Sequence, residues 1–266
     1  MPTFIDLSVS IKNNVHTDHP GGSPEVTYID HSATASGLEH FFPGLKPEDL
    51  PNEEGWAVES VKLSTHNGTH MDAPYHCHST MNNGQRAITI DEVPLEWCFS
   101  DGVKLDLRSY EDGYVLTKSD LQNEIKKINY ELKPLDIVFI NTSAGGHYGK
   151  EDFLSKGCGI SKEATIYLLD QGVRVTGTDA WSWDAPFSYT AEKYKQTKDP
   201  SIIWEGHRAG MVQGPQPVSL NVPRSGPASS LFSLGRGTPL GLSGVQAFPQ
   251  TRDLGMFGPK LPFTGQ

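Results

Sequence analysis

The run Leu135-Asp136-Ile137-Val138-Phe139-Ile140-Asn141-Thr142 limits what this chain can fold into more than any other stretch. Its β-branched and aromatic content marks a strong buried strand. Upstream, Thr117-Lys118-Ser119-Asp120 opens a helix with Thr117 or Ser119 as cap and Leu121, Ile125 and Ile128 as its buried stripe. Downstream, Ser161 caps a second helix whose Ile166, Leu168 and Leu169 pack inward until Gln171-Gly172 stops it. Val173 to Thr178 is the next strand, and it delivers Asp179 at its end. That carboxylate is either functional or a group that fixes a neighbouring amide or histidine. Further strands are expected at Phe4–Ile11, Val26–Ile29, Val58–Thr65, Ala87–Val93 and Gly102–Leu107. These stretches support mixed strands with two helices and leave the order of the sheet open.

At 266 residues the chain can bury one substantial core. Its net charge of −10 argues against nucleic acid or an anionic membrane surface as main partner. Cys77, Cys98 and Cys158 are too few and too scattered for a disulfide framework, which suits a reducing compartment. No run approaches the roughly 18 apolar residues of a membrane span, and the N-terminus has no signal-like pattern. The expectation is a cytoplasmic protein.

His66 to His78, HNGTHMDAPYHCH, holds four of the ten histidines and one carboxylate in thirteen residues, interrupted by Gly68 and Pro74. His66, His70 and Asp72 offer the mixed nitrogen and oxygen set that suits Zn²⁺, Mn²⁺ or Fe²⁺ and leaves positions for water and substrate. Gly68 and Thr69 are weak helix formers, so a tight turn after a strand is expected between the two histidines. Pro74 constrains the backbone so that His76 projects to the same place. His78 lies outside the compact pattern, and Cys77 is expected to point away. Trp181 and Trp183 are spaced to face one side of an extended backbone, as a wall for a planar substrate or as core. Phe41, Phe42 and Trp56 are apolar surface in irregular sequence, suited to core packing, a pocket wall or a dimer contact.

His66-x-Gly68-Thr69-His70-x-Asp72-x-Pro74-x-His76 resembles the signature of the metal-dependent cyclase superfamily, which includes bacterial kynurenine formamidases and isatin hydrolases. Asp6-Leu7-Ser8 and Gly177-Thr178-Asp179-Ala180-Trp181-Ser182-Trp183-Asp184 are similar to members of the same family, the latter to its isatin-hydrolase-like branch. The resemblance extends over about residues 4 to 210. It implies an α/β single domain with a mixed, mostly antiparallel barrel-like sheet flanked by helices, commonly in a homodimer whose N-terminal loops reach the partner's active site. In two-metal members a histidine at the position of His207 and a glutamate about a dozen residues later help bind a second ion. His207 matches, but position 219 is Ser219 and no Glu follows Glu205, so that second site is expected to be weak or absent.

The implied chemistry is metal-assisted cleavage of a carbon–nitrogen amide bond in a small aromatic substrate such as N-formylkynurenine or isatin. Zn²⁺ or Mn²⁺ would be held by His66, His70 and Asp72, with His76 as general base and acid. The same ligand set also suits a metal-dependent lyase or esterase. Residues 211–266 stand apart: 17 of these 56 residues are Gly or Pro and five are charged. No strand or helix period runs through them, so residues 1–210 read as the cyclase-like domain and 211–266 as an irregular or non-homologous tail. A chain that keeps the ligands without the family's C-terminal strands would be a catalytically impaired metal-binding member.

Overall fold

The computed structural model describes residues 6–15, 17–211, 218–221 and 239–241. In chain order, β1 (Glu25–Ile29) and β2 (Val58–Lys62) form an exposed antiparallel ribbon with the short helix α1 (His31–Ala35) between them. β3 (His70–Asp72) runs into the one-turn helix α2 (Pro74–Cys77), and β4 (Thr80–Met81) pairs with β5 (Gln85–Arg86). Then come β6 (Phe99–Asp106), β7 (Val115–Leu116), α3 (Lys118–Lys127), β8 (Ile137–Asn141), β9 (Gly159–Ile160), α4 (Lys162–Asp170), β10 (Val175–Thr178) and α5 (Phe187–Thr197). β11 (Val218–Asn221) and β12 (Pro239–Gly241) come last.

The principal sheet has the order β12-β6-β8-β10-β11-β3. Its interior pairings, β6 with β8, β8 with β10 and β10 with β11, are parallel. The edge pairings to β12 and β3 are antiparallel. This corrects the expectation of a mostly antiparallel sheet, and among the described residues it does not close into a barrel. The reason lies in the connections: α3 follows β6 and α4 follows β8, and a helical crossover returns the chain parallel to the strand it left.

β8 carries the core on both faces. Val138 and Ile140 pack with Leu105, Leu121, Ile125 and Leu168, whereas Ile137 and Phe139 pack with Met71, Ile90 and Val175. α3 begins as the sequence predicts, with Thr117 accepting from the Asp120 amide and the Asp120 carboxylate returning to the Thr117 amide. Ile128 is the exception in its stripe, because the helix ends at Lys127 and leaves that side chain exposed. Leu105 has no accessible surface. Leu105→Ala is expected to cost about 2–5 kcal/mol, read as a lower urea midpoint at unchanged slope.

Two other expectations are revised. Phe4 and Ile5 lie outside the described residues, and residues 6–12 form no strand. Ser8 instead donates its amide and hydroxyl to Asp6 Oδ1 at 2.9 and 2.6 Å, a local turn that competes with a ladder. Ala87–Val93 is likewise not a strand: Thr89 and Glu92 form a capping box around a 3₁₀ turn at Ile90–Glu92. Within 211–266, where no side-chain period is visible, Val218–Asn221 enters the sheet between β10 and β3 and Pro239–Gly241 lines its other edge. Backbone groups pair whatever side chains flank them.

Candidate metal centre

β3 delivers the centre of the histidine motif to the sheet. Successive side chains of a strand face opposite ways, so Met71 enters the core while His70 and Asp72 share the other face, all three buried. The chain reaches β3 through a turn in which the Asn67 amide donates to the Ser64 carbonyl at 3.0 Å and Asn67 Oδ1 accepts the Ser64 amide at 2.7 Å. Gly68 follows at φ +67°, a left-handed conformation that glycine adopts without strain. No helix therefore spans His66 to His70, in keeping with the sequence. Pro74 occupies the first turn of α2, where its missing N–H is no loss, and this turn carries His76.

Five polar side chains meet here. Asp72 Oδ1 lies 2.7 Å from His66 Nδ1, and Asp72 Oδ2 lies 3.5 Å from His70 Nε2. The His66 and His76 rings are 4.1 Å apart and the His66 and His70 rings 5.2 Å apart. His207 stands 6.0 Å from His76, buried, with its Nδ1 at 2.5 Å from Asp184 Oδ2. Asp184 also accepts the Gly206 and His207 amides, which fixes the loop that carries His207.

The electrostatics follow from this crowding. Burial works to raise the Asp72 pKa, but His66, His70 and His76 more than reverse it and hold the carboxyl far below its ordinary range. Burial, then the charges of His66, His207 and His70, push His76 down to about 4 against the pull of Asp72. For His70 and His207 burial also opposes the charged form, yet Asp72 and Asp184 respectively outweigh it and both pKa values are raised.

The residues fit a divalent cation. Asp72 Oδ1 is buried and has no hydrogen-bond partner among the described residues: His66 Nδ1 comes close without meeting hydrogen-bond geometry. A buried carboxylate oxygen in that position is compensated by a cation. Donor atoms of His66, Asp72 and His76 lie within 4.8 Å of one another. Ligands at about 2.0–2.2 Å from zinc stand at most about 4.4 Å apart, so this set closes on an ion with small side-chain shifts. The tightest trio thus contains His76 where the sequence pattern assigns His70. His70 is nonetheless oriented as ligand histidines commonly are, with Nδ1 at 3.0 Å from the Gly68 carbonyl and Nε2 toward Asp72.

The remaining predicted residues separate. Trp181 lies beside the centre, with Nε1 3.5 Å from Asp18 Oδ1. Trp183 is core: the chain bends between the two tryptophans, and its Nε1 donates to Thr165 Oγ1 at 3.0 Å. Phe41 and Phe42 are 65% and 59% exposed on the loop that also carries Trp56, so they are not core and do not join the histidine cluster. His78 is tied to its own turn through Thr80. Residues 13–24, rich in Asn, Pro and Gly, read from the sequence as a loop whose His16 and His19 line a site rim or are ordinary loop residues; His16 lies outside the described residues, and His19 packs on Trp181 and Phe187.

Asp179 is resolved as a fixing residue. It accepts from the Thr142 amide and hydroxyl, each at 2.8 Å, and from Asn141 Nδ2 at 2.6 Å. Burial outweighs these bonds and raises its pKa to about 6. A carboxyl raised in the folded state contributes stability that is complete below its unfolded pKa near 4 and lost as pH rises through about 6. Asp179→Asn removes that loss, up to about 3 kcal/mol, and its amide can donate to Asn141 Oδ1, which is buried without a partner among the described residues. Urea unfolding at pH 4.5 and 7 should show the variant gaining on the wild type at the higher pH; a pH-independent difference would contradict this account.

Sequence reasoning missed three neighbours. Asp18 sits in the loop before β1, Asp184 ends the tryptophan segment, and Trp204 stacks on His207 at 5.0 Å and lies 5.6 Å from His76. Trp204 has φ +54° and a buried indole N–H without a partner among the described residues, two costs that tend to gather at functional sites.

Residues 5–185 match the Cyclase family, described as "Putative cyclase". The kynurenine formamidase of Bacillus cereus is 23% identical over 181 residues, 68% of this chain and 70% of that protein. The structure is similar to an isatin hydrolase bound to the product analogue thioisatinate (TM-score 0.58, 16% identity, 83% of this chain and 79% of that one). It is also similar to isatin hydrolase A from Ralstonia solanacearum (TM-score 0.57, 17% identity, 83% and 81%). At these identities the structural likenesses establish a shared fold. Because the family match takes in well over half of the chain and the whole His66–His76 stretch, the chain belongs to the cyclase family.

Proposed function

We propose that this chain is a metal-dependent hydrolase that cleaves a carbon–nitrogen amide bond in a small aromatic substrate, N-formylkynurenine- or isatin-like. The observation that carries the reading is the buried Asp72 carboxylate between His66 and His70, with one oxygen lacking a hydrogen bond among the described residues and His76 alongside. His66, His70 and Asp72 would hold one divalent ion, Zn²⁺ or Mn²⁺, which would supply a Lewis acid for the carbonyl and a lowered pKa for water. A ring nitrogen of His76, which burial keeps unprotonated at neutral pH, takes the proton of the attacking water and returns it to the leaving nitrogen. Asp184 keeps His207 oriented beside His76, and Trp181 borders the substrate. Kynurenine formamidase and isatin hydrolase among the relatives support this class of substrate.

A one-metal centre fits better than two. Position 219, where the resemblance calls for a glutamate, is Ser219, and it stands opposite Asp72 in the β11–β3 register. The same substitution supports a second reading, a metal-binding member without turnover. The exposed Phe41, Phe42 and Trp56 suit the contact of a homodimer. Among the described residues no helix is long and apolar enough to cross a membrane.

The deciding experiment measures metal per subunit by elemental analysis and turnover of N-formylkynurenine, isatin and an amide–ester matched pair on one sample. About one ion with amide turnover supports the hydrolase. Metal without turnover supports the second reading, and ester cleavage without amide cleavage moves the chain to another reaction class.

A further inference from the structure

Of the three residues assigned to the ion, His66 is the least enclosed: its side chain is 32% exposed, against 6% for His70 and 8% for Asp72. His70 and Asp72 are held by the β3–β11 ladder, whereas His66 depends on the turn that carries it. That turn is closed by Asn67, a buried residue at a position the family signature leaves unspecified. The Asn67 carboxamide works on two sides. Oδ1 accepts the Ser64 amide at 2.7 Å, across His66, while Nδ2 donates to Asp18 Oδ2 and to the Gly22 carbonyl, each at 2.8 Å. The far end of this tie is itself fixed: the Thr17 hydroxyl donates to the same Asp18 oxygen at 2.7 Å, and the Gly22 amide turns back to the His19 carbonyl at 2.9 Å. A buried side chain whose donor and acceptor atoms are all engaged is costly to remove.

We propose that Asn67 is the positioning residue of the metal centre: its side chain locks the 64–67 turn against the 17–22 loop and so sets where His66 meets the ion. The proposal rests on the reading of His66 as a ligand and adds what holds it in place. Closing the turn needs only the Asn67 amide on the Ser64 carbonyl and Oδ1 on the Ser64 amide. The two Nδ2 bonds, to partners 49 and 45 positions upstream, add nothing to that closure and serve to anchor it from outside. His66 is the neighbouring residue, so any tilt of the turn moves its ring. Metal–ligand distances tolerate about 0.2 Å, and a turn free to tilt keeps His66 within reach for less of the time.

The test is zinc affinity, independent of turnover: competition between the full-length chain and a chromophoric chelator, on samples stripped of metal and checked for fold by circular dichroism. Asn67→Ala should bind zinc about 10–100-fold more weakly than the wild type, the usual loss when a group that orients a ligand is removed. Leu105→Ala weakens the core without touching the turn and should keep the wild-type constant within about twofold. Where Asn67→Ala fails to fold, Asn67→Asp keeps the acceptor for the Ser64 amide but sets a carboxylate against Asp18. An added negative charge by itself strengthens cation binding, so weaker zinc binding in that variant comes from the displaced turn. An unchanged constant in Asn67→Ala, an equal loss in Leu105→Ala, unchanged or tighter binding in Asn67→Asp, or failure of both Asn67 variants to fold would overturn the proposal. A wild type that binds no zinc would overturn it together with the metal reading, whereas Asn67-dependent zinc binding without amide turnover would overturn the proposed reaction and leave the role of Asn67 standing.

Discussion

His76→Ala should retain about one ion per subunit and lose turnover by about 10²–10⁴-fold, the usual contribution of a positioned acid–base group, whereas His70→Ala should lose both. The two histidines differ in how they are held. His70 lies on β3 with one ring nitrogen engaged by the Gly68 carbonyl and the other toward Asp72, the support a ligand receives. His76 sits on a single helical turn, packed between the His66, Trp204 and His207 rings. Its donor atom nevertheless belongs to the tightest trio with His66 and Asp72, so elemental analysis of the two variants decides the roles. Loss of metal from His76→Ala with retention in His70→Ala would exchange them. Near-normal turnover in metal-loaded His76→Ala would remove it from the mechanism.

Asp72→Asn should separate metal-dependent stability from the fold itself. In the wild type a divalent ion at about 1,000 times its dissociation constant adds about 4 kcal/mol, and the melting temperature climbs with added metal. The substituted amide keeps the shape of the carboxylate but removes its negative charge and turns a donor toward the histidines, so metal should no longer shift the melt and turnover should fall to background. Without metal the variant is expected to melt lower than the wild type, because the buried pairs with His66 and His70 that hold the Asp72 carboxyl far below its ordinary range are lost. Differential scanning calorimetry with and without Zn²⁺ checks both halves. A metal-dependent rise that persists in Asp72→Asn would place the ion elsewhere.

What can be read from the sequence is what is local. The Thr117 and Ser161 caps and the apolar run of β8 declare themselves within a few residues, and the structure has them as expected. Strand order depends on pairings between distant segments, which no window reveals, and so the parallel centre of the sheet is invisible to periodicity. The Phe4–Ile11 expectation yields to a three-residue hydrogen-bond turn at Asp6 and Ser8, too short to disturb an alternating pattern. In the centre the same rule holds. His66, His70, Asp72 and His76 are visible because one short stretch of chain carries them all, whereas Asp18, Asp184 and Trp204 come from separate loops and have no shared spacing. Trp183 parts from Trp181 because the chain bends between them, which alternation along a straight strand does not anticipate.

The pairing of β3 with β11 has a consequence for how the centre comes into being. Among the described residues, the strand that carries His70 and Asp72 finds its only partner in the principal sheet some 150 positions further along, at Val218–Asn221. Closing so long a loop is slow relative to forming α3 or the β6–β8 neighbourhood. During synthesis the histidine segment therefore leaves the ribosome early and waits, its backbone groups open, until nearly the whole chain has followed. His66, His70, Asp72 and His76 exist long before there is a sheet edge to set them on, so metal affinity is a property of the last stage of folding and a chain stopped after residue 211 would carry the motif without the centre.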